Sequence, residues 1–137
     1  MKRENELVKK AMEAKEKAYA PYSKFKVGAA VLTESGEIFT GANVENSSYG
    51  ATICAERIAV LKAVLDGFRE IKAIAISSDS DELIFPCGIC RQVIFEFGKI
   101  DTIILCSDNR GNFETHTLGE LLPYAFKLKE DKNTNGV

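Results

Sequence analysis

Cys54-Ala55-Glu56-Arg57 and Pro86-Cys87-Gly88-Ile89-Cys90-Arg91-Gln92 are the two stretches on which the reading of this chain turns. Each opens a helical pattern, so three thiols and one carboxylate are offered from the first turns of two separate helices. Thiolates at Cys-x-x-Cys spacing suit Zn²⁺, which binds sulfur at about 2.3 Å and prefers four tetrahedral ligands. Three sulfurs leave one position open, and an open position is where zinc holds a reactive water. Glu56, two residues from Cys54, is placed to take a proton from that water without being a ligand. Two blander readings compete. Cys106 could supply a fourth sulfur and close a structural site, although it ends an apolar run where a small buried thiol is expected anyway. A redox Cys-x-x-Cys pair would leave Cys54 and Glu56 without a role.

Working outward, the pattern after Cys54 is helical to Leu65, with Ile58, Leu61 and Leu65 as its apolar stripe and Gly67 as its stop. Ile71 to Ser77 is a short apolar run rich in β-branched residues, hence a buried strand. An acidic loop leads to Pro86, and Gly88 to Phe97 forms a second helix with Val93, Ile94 and Phe97 inward. Thr102 to Cys106 is another buried strand. The connection Ser107-Asp108-Asn109-Arg110-Gly111 is too short for a crossover, so the strand over 112–117 returns antiparallel. A short helix follows near Leu118 to Leu122, and the polar tail over 129–137 is expected to fray.

Upstream, residues 4–18 read as an amphipathic helix with mixed charges on its solvated face, ending before Pro21. Val27 to Val31 and Ile38 to Ala42 form a hairpin about Glu34-Ser35-Gly36-Glu37. Gly28 inside a strand signals close approach of other backbone or of a ligand. Phe25 is either a core aromatic or a ring that stacks on a planar base. In Asn43-Val44-Glu45-Asn46, an amide and a carboxylate two residues apart share one face of an extended segment and suit vicinal hydroxyls. The alternative is a polar loop capping the next helix, with Thr52 as the cap.

Strand, helix, strand, helix, strand implies parallel neighbours with right-handed crossovers, hence an α/β sheet covered on both faces. Both cysteine stretches then lie at the sheet edge where such folds bind ligands, on helix N-termini whose partial positive charge favours thiolate. Three thiolates leave a divalent site at −1. Arg57 or Arg91 can offset this by donating to the sulfurs, unless each is a surface ion pair. His116, the lone histidine, is assigned no role.

At 137 residues the chain suits one domain spanning residues 1–137 with a substantial core. A net charge of −2 gives no basic field for a nucleic-acid polymer. No apolar window is long enough for a membrane span, and Met1-Lys2-Arg3-Glu4 lacks the run of a signal peptide. Four cysteines without such a signal point to a reducing, cytoplasmic setting.

The paired stretches match the general signature of zinc-dependent base deaminases. More specifically, the chain resembles the small homotetrameric cytidine deaminases. The resemblance rests on Ala18 to Phe25, Asn43-Val44-Glu45-Asn46, the two cysteine stretches, and Glu120-Leu121-Leu122-Pro123-Tyr124-Ala125-Phe126. It implies a three-layer αβα fold with a mixed five-stranded sheet, and zinc-dependent hydrolytic deamination of cytidine and deoxycytidine in pyrimidine salvage. It implies one zinc per subunit on Cys54, Cys87 and Cys90, Glu56 as the proton shuttle, and Arg57 donating to the thiolates. Phe25 would stack on the pyrimidine, with Asn43 and Glu45 on the ribose hydroxyls and Ala55 also in contact with substrate. Phe126 would reach a neighbouring subunit's pocket, so the active sites of a homotetramer would be shared. Blasticidin-S-type deaminases share the cysteine stretches but are not expected to carry Asn-x-Glu-Asn. A polynucleotide editor would want a basic channel. An idle zinc scaffold would have no need of Glu56.

Overall fold

β1 (Val27–Thr33) is nearly all buried and carries small residues on both faces, which suits it to the interior of a sheet. In the computed structural model, which describes residues 1–129, it pairs antiparallel with β2 (Ile38–Ala42) on one side and β3 (Ile71–Ser78) on the other. β3 pairs parallel with β4 (Ile103–Ser107), and β4 pairs antiparallel with β5 (Phe113–Thr117). The sheet order is β2-β1-β3-β4-β5. The mixed sheet with an antiparallel last strand is as expected. The expectation that β2 and β3 are parallel neighbours is not met, because β1 stands between them and takes hydrogen bonds from both.

Alternation along the strands divides the core in two. Ala30 and Leu32 of β1, Ala73 and Ala75 of β3 and Leu105 of β4 face α1 (Glu4–Lys15) through Leu7, Val8 and Ala11. Ala29, Val31, Ile74, Ile76 and Ile104 face the opposite layer, formed by α2 (Ala55–Leu65) and α3 (Gly88–Phe97). Each fully buried Leu or Ile side chain contributes roughly 1.5–3 kcal/mol relative to exposure. The two helical layers make the fold three-layer αβα.

Two glycines set how closely the helices approach. A Cβ on Gly28 would lie 2.1 Å from the Ala11 carbonyl oxygen and 2.5 Å from the Lys15 nitrogen, so that strand glycine admits helix backbone and not a ligand. On the other face, a Cβ on Gly41 would lie 2.6 Å from the Ala59 nitrogen and 2.7 Å from the Ala55 oxygen. This contact decides which side of α2 is buried. Ala55, Ala59, Val60 and Ala63 pack on the sheet, whereas Leu61 is 41% and Leu65 88% exposed. Of the predicted Ile58–Leu61–Leu65 stripe, Leu61 and Leu65 are therefore turned away from the core, while Ile58 stays half-buried with its Cβ beside Gly41.

Two boundaries also differ from expectation. α1 ends at Lys15 instead of residue 18, and Glu16, Lys17 and Ala18 close a tighter i→i+3 turn. The chain must leave the helix there because Tyr19 pairs with the 43–45 segment. Thr52 does not cap α2. Cys54 occupies that position, and the Thr52 hydroxyl accepts from the Asn46 amide. α4 (Leu118–Leu121) follows β5 directly and starts with a full capping box between Thr117 and Glu120. The tail expected to fray lies, from residue 130 on, outside the described residues.

The register gathers the start of β1 and the ends of β2 and β3 at one end of the sheet, through the pairs Gly28–Ala42 and Val27–Ser78. The loops leaving β2 and β3 there run to Cys54 and Cys87. A larger hollow of about 660 Å³ lies at the opposite end, lined by Thr33 to Ser35 and Gly67 to Glu70. It contains none of the cysteines or Glu56.

Candidate functional site

Cys54 and Cys87 are the N-cap residues of α2 and α3, both extended in backbone, and neither side chain makes a capping hydrogen bond. Their carbonyls take up the first helical N–H groups while their sulfurs remain free for other partners. Cys90 lies one turn into α3. The Sγ atoms of Cys54 and Cys87 are 3.9 Å apart, those of Cys87 and Cys90 3.3 Å, and all three lie within 4.8 Å of one another. Sulfurs at tetrahedral corners around an ion with bonds of about 2.3 Å sit about 3.8 Å apart, so the donor set fits zinc. Among the described residues Cys106 is not in this group. It is fully buried in the core beneath the α2–α3 layer, and burial pushes its thiol up to about 12. The closed four-sulfur alternative is thereby removed, and a redox pair does not account for Cys54 beside the other two sulfurs.

Hydrogen bonds from Cys90, Arg57 and Cys87 draw the Cys54 thiol down to about 5 against the opposing effect of burial. Cys90, which lends its proton in that arrangement and is itself buried, is shifted upward. Arg57 donates from Nη2 to the Cys54 sulfur at 3.6 Å and to the Thr52 carbonyl at 3.4 Å. Arg91 does neither. Its Nε holds the Pro86 carbonyl and its Nη1 the Leu121 carbonyl, each at 2.7 Å, so it ties the α3 entrance to α4.

Glu56, in the first turn of α2, is 4% exposed. Burial is the main cause that lifts its carboxyl to about 7, and the Cys54 charge adds to it, while hydrogen bonds from its own backbone and the Cys90 thiol oppose. Its affinity for a proton is thus poised near neutrality, where a group can both accept and return one. Ala55 beside it is fully buried against the sheet.

The polar loop after β2 is extended, with Val44 bridged to Ile53 on one side and Tyr19 on the other. Asn43 and Glu45 both reach toward residues 22–27. Asn43 Oδ1 accepts from the Val27 amide and its Nδ2 donates to the Phe25 carbonyl, each at 2.9 Å. Glu45 accepts from the amides of Tyr22 at 3.0 Å and Ser23 at 3.1 Å, and from the Ser23 hydroxyl. These bonds, the Ser23 hydroxyl first, hold its carboxyl below the usual range. A cleft of about 330 Å³ is lined by Tyr22, Ser23, Glu45, Asn46, Tyr49 and Thr52. Phe25 is 38% exposed. Phe126 is 67% exposed, and its carbonyl accepts from Gln92 Nε2 at 2.7 Å. His116 lies between Glu114 and Glu120 on the β5–α4 junction.

Sequence reading missed Ser23, whose hydroxyl also accepts from the Phe25 amide at 3.0 Å. Its position two residues before Phe25, after Pro21, is a hydroxyl-turn signal that was available. It also missed Lys24, whose φ of 62° places a non-glycine residue in the left-handed region just before Phe25.

Residues 1–107 match the family model described as the cytidine and deoxycytidylate deaminase zinc-binding region. The cytidine deaminase of Halalkalibacterium halodurans is 47% identical over 93% of this chain and 96% of its own length. That of Sporosarcina psychrophila is 49% identical over 91% of each chain. Among solved structures, the cytidine deaminase from Burkholderia pseudomallei superposes with a TM-score of 0.85 at 46% identity, covering 88% of this chain and 97% of that one. The enzyme from Mycobacterium tuberculosis gives 0.80 at 41% identity over 90% of this chain and 97% of the other.

Proposed function

This chain belongs to the cytidine and deoxycytidylate deaminase zinc-binding family, and from that premise we propose that it hydrolyses cytidine and deoxycytidine to the corresponding uridines and ammonia. The observation that carries the reading is three sulfurs spaced for one tetrahedral ion, with a buried carboxyl in the helix turn that one of them caps. Zinc, when held by Cys54, Cys87 and Cys90, supplies the positive charge that makes a water acidic near neutral pH. Glu56 takes the proton of the attacking water and delivers it to N3 as oxygen adds at C4. A second transfer through the same carboxylate lets the amine leave as ammonia. Arg57 withdraws charge from the Cys54 sulfur, so that three thiolates do not quench the acidity of that water.

Phe25 stacks on the pyrimidine ring, and Asn43, Glu45 and Ala55 complete the substrate contacts. Asn43 retains one N–H and one lone pair beyond the bonds it makes to Phe25 and Val27, and Glu45 is held ionised as an acceptor for hydroxyl groups. The substrate is a free nucleoside and not a polymer. The assembly is a homotetramer in which Phe126 enters a neighbour's pocket. The exposure of Phe126, Leu61 and Leu65 supports this, since large apolar side chains in solvent mark surfaces that another chain covers. Cytoplasmic location agrees with four cysteines kept as free thiols. No helix among the described residues is long and apolar enough to cross a membrane.

The test is incubation of the zinc-loaded protein with cytidine, deoxycytidine, blasticidin S and single-stranded DNA, following loss of the amine by absorbance and mass. Turnover of the two nucleosides is expected. Turnover of blasticidin S alone, or of DNA alone, would overturn the assignment.

A further inference from the structure

The segment that carries Phe25 is tied down on its far side by a pair of charges outside the substrate cleft. Lys15, the last residue of α1, is only 8% exposed, and its Nζ sits 3.5 Å from Asp79 Oδ1 and 3.3 Å from the Ser78 carbonyl it donates to. Asp79 in turn makes a two-way bridge to the residue after Phe25. Its Oδ2 accepts from the Lys26 amide and its own amide donates to the Lys26 carbonyl, both at 3.1 Å. The Asp79 carbonyl is held by Asn109 Nδ2 at 3.3 Å. On the near side, the Phe25 amide is fixed by Ser23 and its carbonyl by Asn43. Between these anchors Lys24 is forced to φ 62°, a left-handed conformation that a non-glycine residue keeps only where its surroundings hold it.

We propose that the Lys15–Asp79 pair is a positioning device for substrate binding: by clamping Lys26 it holds the strained turn and sets the plane of the Phe25 ring before the pyrimidine arrives. Neither residue lines the cleft beside Glu45 or belongs to the sulfur group. The proposal rests on the reading of Phe25 as the stacking residue. Lys15 lies on the buried face of α1, where its charge is costly without Asp79, so the pair accounts for a lysine at a core-facing position.

The prediction is a defect in binding and not in the chemical step. Asp79→Ala should raise KM for cytidine about five- to ten-fold, the loss of one or two hydrogen bonds, with kcat within about two-fold. Asp79→Asn, which keeps an acceptor for the Lys26 amide, should raise it less, and zinc content should be unchanged in both. Melting temperatures establish that each variant is folded at the assay temperature, and Lys15→Met, which keeps the packed stem, serves as the second probe of the pair. The decisive comparison is the cycle with Phe25→Leu. Phe25→Leu alone should raise KM, and adding Asp79→Ala to it should change KM by less than about two-fold, because the clamp then has no ring to orient. If Phe25→Leu leaves KM unchanged, the stacking assignment fails and takes the clamp with it. If Phe25→Leu raises KM but Asp79→Ala and Lys15→Met do not, or the two effects multiply in full, the stacking assignment stands and the clamp is refuted.

Discussion

Gly41→Ala adds one methyl group at the point where α2 meets the sheet, and its consequences can be followed to the sulfurs. The new Cβ would lie 2.6 Å from the Ala59 nitrogen, 2.7 Å from the Ala55 carbonyl oxygen and 2.9 Å from Ile58 Cβ. All but the last are backbone atoms, so no rotamer change relieves the contact. An ordinary approach is roughly 3.5 Å, so the first two turns of α2 must lift by about 0.9 Å. Overpacking of this kind costs about 1–3 kcal/mol. The larger effect is on the site, because the displaced turn carries Cys54, Glu56 and Arg57 while Cys87 and Cys90 stay with α3. Metal–ligand distances tolerate only about 0.2 Å, and a misplacement of about 1 Å near a reacting centre can lower rate about 100-fold. The expected result is weaker zinc retention against a chelator and kcat/KM down about 100-fold, with a urea midpoint only modestly lowered. Gly28→Ala is the control, since its clash is with Ala11 and Lys15 of α1, which holds no ligand. It should lose stability and keep zinc. A Gly41→Ala protein with normal zinc retention and normal kcat/KM would refute the reasoning.

Three further outcomes are expected. Cys106→Ala should keep one zinc per chain by metal analysis and lose about 1 kcal/mol or somewhat more of stability, because that thiol fills core space and not a coordination position. A fall to no bound zinc would restore the four-sulfur site. In the metal-free protein, iodoacetamide should modify Cys54 with a rate that already rises through about pH 5, since a lowered thiol pKa exposes thiolate at lower pH, while Cys106, shifted up to about 12, stays inert through pH 9. Peptide mapping reads this out, and added zinc should protect Cys54. Arg57→Gln should weaken zinc retention or activity about 10- to 100-fold, measured by chelator competition and kcat/KM, because the hydrogen bond to the Cys54 sulfur is lost.

The strands and helices that carry the cysteines were legible because their apolar runs are short, β-branched and separated by long helical patterns. β1's interior place, between β2 and β3, was less so. A hairpin's sequence gives its own register, but nothing local says that its inner strand will insert beside β3. Periodicity also chose the wrong face of α2. Ile58, Leu61 and Leu65 have the right spacing for a core stripe, yet the close approach of the helix to Gly41 buries Ala55, Ala59 and Ala63 and leaves Leu61 and Leu65 in solvent. The reverse holds for Lys15. It lies four residues after Ala11 and eight after Leu7, squarely on the buried face of α1, and charge alone made it look solvated. The sulfur group was legible because metal-ligand spacing is a local code. Asn43 and Glu45 stood out by type and spacing, but their bonds to Phe25 and to Ser23 depend on loop geometry that no local pattern encodes.

The most direct test of the central claim is turnover by Glu56→Gln, measured together with bound zinc. The carboxyl is buried and raised to about 7, so the neutral amide should fit the site without loss of fold. The account predicts zinc retained at one per chain and kcat for cytidine lower by about 100- to 10,000-fold, the range a positioned acid–base group supplies. Turnover near that of the unaltered protein, with zinc in place, would contradict it.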